Sequence, residues 1–183
     1  IVSAIAGFLL TAVPSWTGQK GFAGPPLVIL ALLWVSARVL IASSALWPVW
    51  LTAGVDLAFL PVLAALLARS LLREVNRNTP LLAVLVLLWL VDVIFHLAVI
   101  RHNPPLAIHA LIVGIDIVLI LVTVIGGRIV PLFTASALRQ QGIEGAVRSP
   151  LLLTVLAIGS MVAVALGDVF WVDSRAAGVL AAV

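Results

Sequence analysis

The chain repeatedly runs for about twenty residues with almost no charge, and that feature limits what it can fold into. Apolar stretches occupy Leu27 to Leu46, Leu51 to Leu72, Leu81 to Ile100, Leu106 to about Ile125 and Leu151 to about Val172, preceded by a shorter one ending near Val13. Hydrophobic residues make up 64% of the 183 residues and charged residues 9%, and the mean hydropathy is +1.32. A water-soluble domain of this size has too little interior to hide so much apolar surface. A bilayer removes that problem. The sequence therefore predicts an all-α, polytopic transmembrane helix bundle with short connections. Its length allows about six to seven spans, forming one transmembrane helical domain over residues 1–183.

The connections carry the punctuation. Pro14 is expected to stop the first helix near Val13, and PSWTGQKGFAGPP forms the following loop. REVNRNTP and RHNPP separate the later spans. Gly126-Gly127, Arg128 and Pro131 are expected to end the fifth, with TASALRQQGIEGAVRSP leading to the sixth. A seventh is expected to begin at Arg175. The first residues, IVSAIAGFLLTAV, lack the charged region of a signal peptide. Both ends lie within apolar runs, so the chain reads as an internal fragment of a longer membrane protein.

The net charge of +3 comes almost wholly from arginine. No basic stripe on a soluble face exists, which excludes a nucleic-acid partner. The lipid bilayer is the partner that composition demands. Alternate connections share a side, and one side collects Lys20, Arg69, Arg73, Arg77, Arg128, Arg139 and Arg148. The other has only Arg101 and Arg175, plus Arg38 within the second span. The positive-inside tendency places the first side in the cytoplasm. Trp47, Trp50 and Trp171 then fall at the outer boundary and Trp16 at the inner one.

Ionisable residues inside spans cost roughly 2.5–3.5 kcal/mol each on insertion scales, so each needs a reason. They are Arg38, Asp56, Asp92, His96, His109, Asp116 and Asp168, and nearly all fall in the outer half. Asp116 is the deepest. Asp92 and His96 are spaced i,i+4, and His109 and Asp116 i,i+7, so each pair shares a helix face. The turn RHNPP joins their helices, which would let His96 and His109 sit at similar depth. With no cysteine or tyrosine and a single mid-helix methionine, Met161, these histidines are the candidate ligands for haem or copper. Asp92 is placed to accept the second N–H of His96. Arg128 is a candidate anion or haem-propionate partner, although as a topogenic charge it belongs to the opposite membrane face. Weighed against these roles, Asp92–His96 is equally well a pair holding helices together. Arg38 with Asp56 reads as a structural ion pair, and His102 as a solvated turn residue. No nucleophile–base set names a reaction.

The strings IAGFLLTAVPSWTGQ, LALLWVSARVL, VDVIFHLAVI and GIDIVLILVTVIGGRIVPLFTASALRQQG resemble the NnrS family of bacterial inner-membrane proteins, in order along the whole chain. The resemblance implies a protein of about twelve spans, of which this chain would be roughly the N-terminal to central half. It implies association with haem and copper and a part in the nitric oxide response, denitrification or resistance to nitrosative stress. Nitric oxide or another small molecule would be its ligand. It also implies a histidine-containing stretch ahead of Ile1 that would complete a metal site. The competing reading is a small-solute or proton-coupled transporter, with Asp116, Asp92 and Arg38 lining the path.

Overall fold

A computed structural model describes residues 2–18, 20–72, 79–142 and 151–180. The side chains of residues 69, 79, 80, 128, 132, 151, 154 and 170–180 lie outside that description. All regular structure among the described residues is helical: α1 (Val2–Thr17), α2 (Pro25–Ala42), α3 (Val49–Leu71), α4 (Thr79–Ile100), α5 (Pro104–Gln140) and α6 (Leu151–Leu180). A 3-10 turn, Ser44–Leu46, lies between α2 and α3. Four helical segments are long and apolar enough to cross a bilayer: Pro25–Ala42, Val49–Ala68, Leu81–Ile100 and the whole of α5. Val2–Thr17 and Val155–Val169 are apolar but shorter. The six to seven spans expected from length are therefore not confirmed.

Three boundaries differ from expectation, each for a stated reason. Pro14 lies inside α1, which continues to Thr17. A proline removes one helical hydrogen bond, and apolar helices of membrane proteins tolerate that loss. Gly18 then takes the left-handed conformation (φ 62) that suits glycine at a helix end. The Gly126-Gly127 pair and Pro131 likewise fail to end α5, which runs unbroken for 37 residues. At 1.5 Å per residue it is about 55 Å long, well beyond the roughly 30 Å of a hydrocarbon core. Its last turn carries Arg139, where a cation is favoured by the helix dipole. The polar segment TASALRQ, expected as loop, is thus the end of that helix. Finally, α6 continues through Arg175 to Leu180, so no new helix starts there.

The chain forms two compact units, residues 1–107 and 108–183. In the first, α3 is the hub, packed against α1, α2 and α4. Its buried positions Ala53, Leu60, Leu63 and Leu67 recur at the alternating three- and four-residue spacing of close helix packing. Asp56 falls on the same series. On α4 the series is Leu81, Leu85, Leu88, then Asp92 and His96. α1 contributes Ala6, Leu9 and Val13, and α2 contributes Leu30 and Ala37. Between apolar helices in lipid the attraction is mainly van der Waals packing, so these interlocked leucines set register more than they supply a hydrophobic drive. The opposite face of α2 is lipid-like: Val28, Ile29, Leu32 and Val39 are all more than half exposed. Trp47 and Trp50, at the α2–α3 connection, are exposed as boundary tryptophans should be.

The α4–α5 turn is built from backbone bonds. The N–H of His102 donates to the Val99 carbonyl (3.1 Å) and that of Asn103 to the Ala98 carbonyl (2.9 Å). This is a Schellman ending, with His102 in the left-handed position (φ 52) usually held by glycine. Asn103 Oδ1 then accepts the Leu106 N–H (3.2 Å), capping α5 ahead of Pro104 and Pro105. His102 is exposed, in keeping with a solvated turn residue.

Candidate metal centre in the first unit

A proline inside α3 positions the site. Pro61 has no N–H, so the Leu57 carbonyl one turn earlier lacks its helical donor. The indole Nε1–H of Trp89, on α4, donates to that carbonyl at 3.0 Å. One cross-helix bond thus fixes the register of α3 against α4 where it matters. Asp56 precedes Leu57 by one residue, and Asp92 follows Trp89 by three.

Four ionisable side chains from three helices meet there. Asp56 Oδ1 pairs with Arg38 Nη2, the ion pair expected between consecutive helices. Asp56 Oδ2 lies 3.3 Å from His96 Nε2, within hydrogen-bond distance. Asp92 Oδ1 is 3.7 Å from the same nitrogen, within ion-pair range. Asp92 was expected to accept from His96, but Asp56 holds the hydrogen bond instead. Residues at i,i+4 share a face, yet they are separated by about 6 Å of helix rise, and the aspartate side chain is short. A carboxylate from the packed neighbour comes closer. His96 is buried, Asp56 and Asp92 are half-buried, and the Arg38 side chain is 48% exposed.

All four lie toward one end of the three helices, in agreement with the depths read from the sequence. Arg38 is four residues from the end of α2, His96 four from the end of α4, and Asp56 seven from the start of α3. One donor atom from each of Asp56, Asp92 and His96 can be chosen so that all three lie within 4.8 Å of one another. Donors of a single ion bound at about 2.0–2.1 Å sit roughly 3–3.5 Å apart, so small adjustments would bring the set onto one cation.

The other expected site residues fall in the second unit. His109 is half-buried on α5 and pairs with no described residue. Asp116 is buried, and its Oδ2 has no hydrogen-bond partner among the described residues. Arg128 lies on α5, but its side chain is outside the described residues, as are those of Arg69, Arg73, Arg77, Arg148, Trp171 and Arg175. Sequence reasoning missed Asp56 as the partner of His96, having assigned it to Arg38 alone. The available signal was that a carboxylate has two oxygens, and that Arg38, Asp56, Asp92 and His96 share one depth.

Apolar helices of spanning length around a buried histidine–carboxylate cluster define a multi-pass membrane protein. The sequence model described as NnrS protein matches residues 1–183, and the chain belongs to the NnrS family. No curated protein and no solved structure matches it.

Proposed function

We propose that this protein acts at the bacterial inner membrane in the response to nitric oxide, holding copper at the Asp56–Asp92–His96 cluster and haem at a separate histidine. The observation that carries the copper assignment is the approach of two carboxylates from different helices to one buried imidazole nitrogen. An imidazole with carboxylates is an N/O donor set suited to a divalent transition metal.

The same geometry argues against haem at His96. Its Nε2 already faces carboxylate oxygens at 3.3 and 3.7 Å, which would compete for that nitrogen with haem iron. His109, half-buried and unpaired among the described residues, would be the better holder of haem iron. Family membership supports the haem and nitric oxide parts of the reading. Bound copper would supply a redox-active Lewis acid able to take a small molecule as a further ligand. The chain's own residues have defined tasks. Asp56 and Asp92 supply negative charge, and the Trp89–Leu57 bond holds their helices in register.

The test is to purify the whole membrane protein and read haem and copper separately, by Soret absorbance and by metal analysis. His109→Ala is expected to remove the Soret band and leave copper. His96→Ala is expected to lower copper at least tenfold and leave the Soret band. Purified protein with neither group, or with both unaffected by either change, overturns the reading.

A further inference from the structure

Asp56 is shared. One of its oxygens is held by a guanidinium and the other faces the imidazole, so a cation bound by Asp56 and His96 meets a positive charge already in place. We propose that Arg38 is a displaceable occupant of this site: a divalent ion enters by taking over Asp56, and the Arg38–Asp56 ion pair breaks as it does so. This rests on the reading of the cluster as a metal centre.

Charge balance supports it. With a neutral imidazole, Asp56, Asp92 and Arg38 together carry one net negative charge. A divalent ion added to them leaves a net positive charge in a low-dielectric setting, where uncompensated charge is expensive. Withdrawal of Arg38 restores neutrality: two carboxylates against one divalent ion. The guanidinium also has somewhere to go. Its side chain is 48% exposed against 17% for Asp56, and it sits four residues from the end of α2, close enough to reach the membrane boundary along its own stem.

A second observation points to a ligand. Thr52 lies one turn before Asp56 on the packed face of α3, is buried, and its Oγ1 has no hydrogen-bond partner among the described residues. Elsewhere on these helices the threonine hydroxyls bond a carbonyl of the preceding turn: Thr11 to Gly7, Thr17 to Val13, Thr123 to Leu119 and Thr134 to Val130. Thr52 lies in the first turn of α3, where the Pro48 carbonyl four residues back already accepts the Leu51 and Thr52 N–H groups, so its hydroxyl stays available. A buried hydroxyl one turn from Asp56 is suited to a water held by the incoming ion.

The experiment uses the whole purified protein, stripped with chelator and titrated with Cu(II) alone. Affinity is followed by competition and the ligand set by electron paramagnetic resonance. Arg38→Gln is expected to raise Cu(II) affinity about tenfold or more, since an adjacent charge shifts ion binding on that scale. Arg38→Lys, which keeps the charge, is expected to stay near wild type. Asp56→Asn is expected to abolish binding, and His96→Gln to remove nitrogen coupling from the spectrum. Unfolded histidines also bind Cu(II), so the gain counts only in Arg38→Gln protein that keeps the wild-type helical circular dichroism and Soret band. Unchanged or weaker binding in Arg38→Gln overturns the displacement, while copper lost in His96→Gln would leave the metal centre itself standing. Wild-type and Arg38→Gln proteins that both fail to bind Cu(II) overturn both.

Discussion

The two units treat their buried charges differently. In residues 1–107, α3 touches three other helices, and the carboxylates within the membrane-spanning region have partners: Asp56 with Arg38 and His96, Asp92 with His96. In residues 108–183, Asp116 is buried, and its Oδ2 has no hydrogen-bond partner among the described residues. The difference follows from where a short acidic side chain can find a donor. A hub helix offers neighbours on several faces, so a costly residue can be closed off by elements far away in sequence. For the Oδ2 of Asp116 no described residue supplies that donor. A closed cluster is suited to holding something fixed, and a carboxylate with an unbonded oxygen to exchanging a proton.

The largest expected effect attacks the closed cluster. Asp56→Ala removes the acceptor of both Arg38 and His96. Breaking a buried ion pair from one side costs roughly 3–5 kcal/mol. The exposed half of Arg38 reduces that, because the guanidinium can turn to the boundary. An expected loss of about 2–3 kcal/mol, read by denaturation in detergent with Asp92→Ala as a smaller companion, would support closure as a stabilising feature. Equal, small losses in the two variants would show that the cluster contributes nothing to the fold and would weaken the contrast with Asp116.

The next effect probes how the cluster is aligned. Trp89→Phe removes the only indole N–H that meets the Leu57 carbonyl among the described contacts, with an expected cost of about 1 kcal/mol. Pro61→Ala restores a helical N–H for that carbonyl, so Trp89→Phe is expected to cost measurably less in that background. Additive losses would mean that the bond does not compensate for the proline. The comparison is a double-mutant cycle, and Cu(II) affinity in the same four proteins would report whether register matters to the site.

Much of this was legible beforehand, and what was not has a physical cause. The apolar runs specified helices, because their length and lack of charge allow little else in a bilayer. The Arg38–Asp56 pair followed from two costly residues late and early in consecutive spans. The helix ends were less legible. Pro14, Gly126, Gly127 and Pro131 are strong breakers in water, where a lost helical bond is replaced by solvent, but in an apolar helix the neighbouring turns hold the backbone. The partner of His96 was misread because spacing along one helix reports a shared face and not a distance. The Trp89–Leu57 bond needed both the proline and the register of a second helix, and the register is a tertiary fact.

The smallest expected stability effect, and the one that bears most directly on the contrast, is Asp116→Asn. The change keeps shape and polarity while removing a group whose ionised form would be costly at that depth. If the Oδ2 of Asp116 has no donor in the protein, the variant is expected to be as stable as wild type or up to about 1 kcal/mol more stable. A marked loss of stability would mean that a partner exists for Asp116 in the whole protein, and the two units would then treat their charges alike. Function separates the remaining possibilities. Intact haem and copper with collapsed solute or proton flux in Asp116→Asn would identify the open carboxylate as part of a transport path. Unchanged flux, with haem and copper intact, would leave the nitric oxide reading as the function and reduce Asp116 to a tolerated cost.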